Sequence, residues 1–415
     1  MTYPTTAAST RANLADAYKE LFPQKRMDNL AVDNNPLLKW LPKADDLEGD
    51  GIHIPIRWGR PQGKSSAFTS MQGAHSSGKV SKVFIERKKY YGGVSIDDEA
   101  IESARSRKGA FYSVKEAEME DLITELGSTL QTHLWKTGWG TLGQVASVSS
   151  ETATLTNPED AINFQPGQTI VADTVESGGT VHTGSAVVES VDYDAGTFTL
   201  VSGGVAAINA ATGFAANDYV FNVGDYYAAG TTVGDGNLVT GLAGWIPAVA
   251  ETSGTFLGMD RTTAVQLLQG FRQAYLGSIE ETIKKQRSVM GRIGAKADSI
   301  WLADANWHRL EMELGSRAVR MGASAGTFGL PALKYSTPHG SLPIYADPYC
   351  PEDVGYQLKR DTWKLHHLKG LPHIVMTDGM KTLRGLDFDG ITMRARMWME
   401  LACNAPKHNG RFAIS

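Results

Sequence analysis

GIHIPIRWGRPQGKSSAFTSMQGAHSSGKVSKVFIERKKYYGGVSI, residues 51–96, is the stretch that decides the fold. Ile52, Ile54, Ile56 and Trp58 alternate with His53, Pro55 and Arg57, a period of two that predicts a strand. A return strand is carried by Val80, Val83, Phe84 and Ile85, with Tyr90 and Tyr91 beyond it. The connection from Gly59 to Lys79 is rich in Gly, Ser and Lys and has little to pack. Connections of that length are uncommon in compact domains and are usually functional or flexible. Arg57, Arg60, Lys64, Lys79, Lys82, Arg87, Lys88 and Lys89 cluster on this excursion. They are either the solvated face of a hairpin or the grip of an arm that reaches onto a neighbour.

Upstream, residues 1–50 read as an arm. Leu14, Ala17, Tyr18 and Leu21 fall on one side of a short helix that Pro23 ends. Asn34-Asn35-Pro36 and Pro42 then break the chain. Between the breaks stand Leu37, Leu38, Trp40 and Leu41, which a solvated arm would not carry. They are expected to pack on a neighbouring surface, either of this subunit or of another.

Downstream, residues 97–138 hold a long helix. Ser113 is placed to cap it, with Glu116 three residues on. Met119, Leu122, Ile123, Leu126, Leu130 and Leu134 make one apolar stripe over roughly 25 residues. Residues 139–225 change character. Short strand-like runs, 145–149, 169–172, 185–191, 197–201 and 219–223, are separated by Asn157-Pro158, Gly178-Gly179, Asp194-Ala195-Gly196 and Gly203-Gly204. That pattern predicts a small all-β barrel or sandwich inserted into the chain. Residues 226–415 return to mixed α/β. A helix is expected from Asp260 to about Met290, then a strand at 299–303, a helix at 305–314 and several short strands. The last of these, ITMRARMWMEL, partly alternates large apolar and basic residues.

The chain has 415 residues, 42% hydrophobic and 20% charged, which is a globular composition able to bury full cores. No apolar run approaches the ~18 residues of a membrane span. The N-terminal stretch lacks the apolar segment of a secretion signal, and two cysteines, Cys350 and Cys403, exclude a disulfide framework and a Cys-rich zinc site. A reducing cytoplasm is therefore the expected place of synthesis. Net charge is −5, but it is unevenly spread. Between Lys136 and Arg261 there is no Lys or Arg, and that window holds 13 acidic residues. In the remaining 291 residues, 40 basic residues face 32 acidic ones. The basic part can neutralise phosphate, and the acidic part repels nucleic acid, unless the insert is simply a neutral domain that drifted acidic.

Motifs for chemistry are weak. Gly138-Trp139-Gly140-Thr141-Leu142-Gly143 matches GxGxxG, but a helix precedes it and β structure follows, the reverse of a dinucleotide site. His366, His367 and His373 have no Cys or carboxylate at ligand spacing. Asp387 and Asp389 fit a turn as well as a carboxylate pair, and Asp97-Asp98-Glu99 suits a helix start. No nucleophile elbow or Walker loop occurs, so no catalytic, cofactor or metal site is expected.

The order of these segments resembles the major capsid (coat) proteins of tailed bacteriophages with the Hong Kong 97-like fold. The likeness is carried by Leu14–Arg26 with Asn35-Pro36-Leu37-Leu38 as N-terminal arm, and by Gly51–Ile96 as extended loop. It continues in Gly241-Leu242-Ala243-Gly244-Trp245-Ile246-Pro247 and Gly258-Met259-Asp260-Arg261 at the return into an axial domain. Leu342–Pro348, Gly355–Leu358 and the closing strand Ile391–Leu401 complete it. The β insert departs from the minimal form and is similar to the insertion domains of some phage coat proteins.

The resemblance implies an α+β capsid fold divided as arm 1–50, extended loop 51–96, peripheral domain 97–138, β insert 139–225, and axial domain with return 226–415. It implies a virion structural protein, made in the host cytoplasm, that self-assembles through hexamers and pentamers into an icosahedral shell around non-specifically held double-stranded DNA. Leu37, Leu38, Trp40 and Leu41 in the arm, and Arg60, Lys64, Lys79, Lys82, Arg87, Lys88 and Lys89 in the loop, would then lie between subunits. A separate scaffolding protein and a portal are implied, and a decoration protein is conceivable. No cofactor, enzymatic role or membrane is implied. Some relatives join a loop Lys to a neighbour's Asn. Lys64 or Lys79 with Asn404 or Asn409 is the conceivable pairing here, but no carboxylate is assignable as base, and non-covalent clamping is simpler. An encapsulin shell around enzyme cargo is the alternative, and a virion adhesin or carbohydrate-binding protein a more distant one.

Overall fold

The structure, a computed structural model, describes residues 35–99, 114–208, 213–228, 232–252, 254–315, 319–321, 332–337, 340–369, 371–375, 382–384 and 389–414. The arm helix expected at 12–21, the cap at Ser113 and Asp387 lie outside the described residues. The chain is mixed α+β and falls into two compact units. One unit is built from Lys89–Leu130 and His367–Met399, the other from Pro36–Lys88, Gln131–His366 and the residues from Glu400 on.

The first unit is a helix against a sheet. Residues 390–399 of the strand Gly390–Cys403 bury Met393, Ala395, Met397 and Met399 on one side, while Arg394 is exposed. This strand pairs antiparallel with His373–Ile374 and Thr382–Arg384, and also pairs with Lys88–Asp97. The helix Val114–Trp135, 22 residues, is about 33 Å long. Gly92 lets it approach closely, since a Cβ there would lie 2.7 Å from Leu122. Ile96 and Met393 form the core, flanked by Val94, Met119 and Ile391.

The second unit is centred on a seven-stranded sheet. Its order is Phe271–Gln273, Gly410–Ala413, Val354–Leu358, Ser299–Leu302, Gly340–Ala346, Ala332–Thr337 and Val319–Met321. Successive side chains of a strand face opposite layers. Ile300 and Leu302 join the core with Ile279 and Ile283 of the helix Ile279–Arg292 and Leu310 and Leu314 of the helix Asp304–Leu314. Trp301 faces an aromatic layer of Trp40, Trp135 and Tyr345, at centroid distances of 5.5, 6.1 and 4.9 Å.

The single helix expected from Asp260 to Met290 is not formed. Ser278 caps a helix that begins at Ile279, its side chain accepting from the Glu281 N–H. Upstream lie a short helix Val265–Leu268 and the strand Phe271–Gln273, divided by Gly270 and Gly277 at φ +70° and +92°. A continuous helix cannot pass through two left-handed residues.

The insert is a closed six-stranded barrel. Its order is Tyr219–Asn222, Thr141–Ser149, Thr152–Leu155, Thr197–Leu200, Ala186–Asp192 and Thr169–Asp173, which returns to Tyr219–Asn222. The interior is filled by Val145, Leu155, Ile170, Val188, Leu200 and Val220, with Phe164 stacked on Phe198 at 4.5 Å. Thr152–Leu155 was not among the expected strands. The chain enters the barrel over Gly138 and Gly140, both with positive φ, and a Cβ at Gly140 would stand 3.0 Å from the Asp225 carbonyl. Entry and exit are therefore adjacent, as a graftable insert requires.

Residues 51–86 form a hairpin of this second unit. Gly51–Gly59 pairs antiparallel with Lys79–Glu86, in register from Gly51↔Glu86 to Arg57↔Val80. Ile56, Val83 and Ile85 are buried. Beyond the pairing, Gln62 bridges Ser76, and a seven-residue helix, Phe68–Ala74, buries none of its residues.

Candidate interaction surface

The apolar run of the arm is internal, which corrects its placement between subunits. Leu37, Trp40 and Leu41 are 0, 2 and 3% exposed within this chain, and Leu38 is half-buried. The run forms the helix Pro36–Trp40, and its first amide is held by a buried acid. Asp347 Oδ2 accepts from Leu37 N at 3.1 Å and from Gln131 Nε2 at 2.5 Å, and Oδ1 accepts from Tyr349 N at 2.9 Å. Burial pushes the Asp347 carboxyl up to about 7 in spite of these donors. Gln131 Oε1 also accepts from Leu38 N at 3.0 Å. Side chains that are already covered have no surface left to give a neighbour.

The basic residues of the hairpin divide. Arg60, Lys64, Lys79, Lys82 and Lys89 are exposed and Arg87 is half-exposed. Lys88 is buried, which corrects its assignment to an inter-subunit face. Its Nζ donates to the Gly236 and Gly234 carbonyls at 2.5 and 3.3 Å. It also supplies opposite charge to Glu400, whose Oε1 accepts from Thr240 N at 2.8 Å and Leu401 N at 3.2 Å. Burial pushes the Glu400 carboxyl up to about 7, with Lys88 and the amides opposing. The strand period contained this result. Lys88 and Tyr90 share the buried face of Lys88–Asp97, and Lys89 and Tyr91 the exposed one.

Along the hairpin lies a groove of about 800 Å³. Arg57, Arg60 and Lys79 line one wall, Arg292 and Lys407 the other, and no Asp or Glu lines it. Ile56, Trp58, Leu267 and Ile293 give it apolar patches, and Lys79 Nζ sits 5.2 Å from the Trp58 ring. Arg292 ends the helix Ile279–Arg292, and Lys407 lies in the turn Pro406–His408. Sequence reasoning did not find Arg292 or Lys407, because no local pattern links positions so far apart. Asn404 also lines the groove, whereas Asn409 is buried and committed. Asn409 Oδ1 accepts from Lys359 N at 2.7 Å and Trp363 Nε1 at 2.9 Å, so it is removed as a crosslink partner.

The motifs resolve as structure. Gly138 and Gly140 carry the turn between helix and barrel. His366 Nδ1 lies 2.6 Å from Asp46 Oδ1, and His367 Nδ1 lies 2.5 Å from the Lys369 carbonyl. Among the described residues no group of three His, Cys, Asp or Glu could hold a metal ion, and no helix is long and apolar enough to cross a membrane.

No family model and no curated protein matches the sequence. Among solved structures, a chain of the cyanophage A-1(L) capsid asymmetric unit matches over 94% of this chain and 95% of its own. The identity is 10% and the TM-score 0.54. The fold is that of a phage capsid chain. The capsid of a native GTA particle matches over 99% and 100%, at 6% identity and TM-score 0.49. Mycobacterium phage Adephagia matches over 99% and 99%, at 9% identity and TM-score 0.44.

Proposed function

We propose that this chain is a major capsid protein with a Hong Kong 97-like fold, which assembles into the icosahedral shell enclosing the double-stranded DNA of a tailed bacteriophage. The observation that carries the reading is the fold shared with the cyanophage capsid chain along nearly the full length of both. The hairpin supports it, since a ribbon with exposed cations and an exposed Phe68 is what a contact between sister copies would use. In this reading the work is mechanical rather than catalytic, and the partners are other copies, packaged DNA, a scaffolding protein and a portal, with a decoration protein as an optional addition. The place is the virion, reached from the host cytoplasm.

The test is expression alone and with the candidate scaffold, followed by size-exclusion chromatography and negative-stain microscopy. Closed particles or capsomers are expected. A monomer under every condition overturns the reading. Particles that retain folded enzyme and exclude DNA would instead identify an encapsulin-type compartment.

A further inference from the structure

We infer that the cationic groove along the hairpin is a socket for an acidic turn of a second copy, the tip Asp192–Gly196 of the barrel; this rests on the shell reading above. Two observations carry it. The groove gathers Arg57, Arg60, Lys79, Arg292 and Lys407, and none of them makes an ion pair among the described residues. Five like charges around one cavity repel one another, and an incoming anion relieves that cost. The chain also supplies a matching anion. The barrel lies in the segment without Lys or Arg, and its turn between the strands Ala186–Asp192 and Thr197–Leu200 exposes Asp192, Tyr193 and Asp194.

The turn is preformed for presentation. Asp192 Oδ1 accepts from the amides of Asp194 and Ala195 at 3.0 and 2.9 Å, and Gly196 takes φ +65°. Preorganisation lowers the entropy lost on docking. Tyr193 is 58% exposed, with a ring suited to the apolar patches of Trp58, Leu267 and Ile293. The apolar patches beside the cations favour a peptide turn carrying both an aromatic ring and carboxylates over a phosphate backbone, which has no apolar group to cover them. The contact is heterologous, socket to tip, and such contacts generate rings when the rotation closes.

The test is a charge swap in the full chain. Arg60→Glu with Lys79→Glu reverses the socket, and Asp194→Lys reverses the tip while keeping the Asp192 carboxylate that holds the turn; all three positions are exposed, and melting curves confirm that each variant folds. Each reversal alone is expected to cut particle yield about tenfold or more, and the combined variant to restore most of it. Carbodiimide treatment of wild-type particles is expected to join Lys79 of one copy to Asp192 or Asp194 of another. If wild-type subunits never assemble, the shell reading fails and this inference falls with it. If wild type assembles and the socket reversal assembles equally well, the inference alone is overturned. Loss of retained DNA without loss of particles would then mark the groove as a phosphate site. Failure of the combined variant to exceed the single reversals overturns the tip as occupant.

Discussion

Trp40→Ala separates burial inside the chain from burial between chains. Trp40 is 2% exposed and meets Trp301 edge-on at 5.5 Å, in a layer completed by Trp135 and Tyr345. A buried Trp removes roughly 200 Å² from water, which at about 25 cal/mol/Å² is worth about 5 kcal/mol. Measured Trp→Ala losses of about 3–5 kcal/mol in cores agree with that figure. The substitution also loosens the helix Pro36–Trp40, whose first amide Asp347 holds. The assay is urea unfolding followed by tryptophan fluorescence, at subunit concentrations too low for assembly. The transition of the unit containing Trp40 should move down by about 1 M or more, using a slope of a few kcal/mol/M. Trp301→Ala should produce a loss of the same order, and the two losses should not add, because the residues touch. If dispersed Trp40→Ala subunits unfold where wild type does, yet form no particles, then the residue packs on a neighbour and its internal placement is wrong.

Three further outcomes follow from the same unit. Asp347 and Glu400 are held up to about 7, against ordinary values of 3.8 and 4.5. Between those values and about 7 the folded chain binds more protons than the unfolded one, so stability falls as pH rises through that window. The slope is at most about 1.4 kcal/mol per pH unit for each group, and flattens above pH ~7. Melting temperature against pH should show it, and Asp347→Asn should make the slope shallower; a stability that rises from pH 4 to 7 in wild type contradicts the assignment. Lys88→Ala, which strands the Gly234 and Gly236 carbonyls and the buried Glu400, should cost about 2–4 kcal/mol in chemical denaturation. Lys89→Ala, one residue away and exposed, should stay within about 0.5 kcal/mol, and equal effects would refute the facing of the strand. Excision of 141–224 with Gly140 joined to Asp225 should leave a soluble, cooperatively melting body, because entry and exit already touch; aggregation of every such deletion variant argues that the barrel is needed for folding.

What was legible in the sequence was local. Ile52, Ile54 and Ile56 announce their strand because one face of it is buried and alternation is the consequence. The barrel was legible as a change of composition, but Thr152–Leu155 was not, since four residues after a tight turn at Ser150 are too few for a period to register. The helix drawn from Asp260 failed for a physical reason. Val265, Leu268 and Phe271 have helical spacing, but Gly270 turns the chain left-handed and Phe271 joins a parallel pair with Gly410 instead. Leu37 and Trp40 were recognised as buried, but their partner surface, Trp301 and Asp347, lies some 300 residues away, and no local pattern says whose it is. The groove was half legible. Its hairpin wall is a run of cations, while Arg292 and Lys407 arrive only through the tertiary fold.

The hairpin, rather than the arm, is the part of this chain that offers surface to a neighbour. The apolar residues of the arm that looked in need of a neighbour already have cover in their own chain. The hairpin does not. An isolated two-stranded ribbon is marginal in water, and this one buries Ile56, Val83 and Ile85 near its base, where Phe84 N also donates to the Leu257 carbonyl at 2.9 Å. Toward its tip Phe68 and Val80 are 71 and 60% exposed, and the helix Phe68–Ala74 covers nothing. Exposed apolar side chains on a two-stranded ribbon, flanked by cations that have no carboxylate partner among the described residues, cost free energy in a lone subunit. Contact with another surface recovers it, and that surface must be both apolar and acidic. Within this chain the barrel exterior has that composition, with Val187, Val201 and Tyr193 beside Glu189, Asp192 and Asp194. The segment that lacks every Lys and Arg is thus the chemical complement of the segment richest in them, which is what repeated contact between identical copies requires.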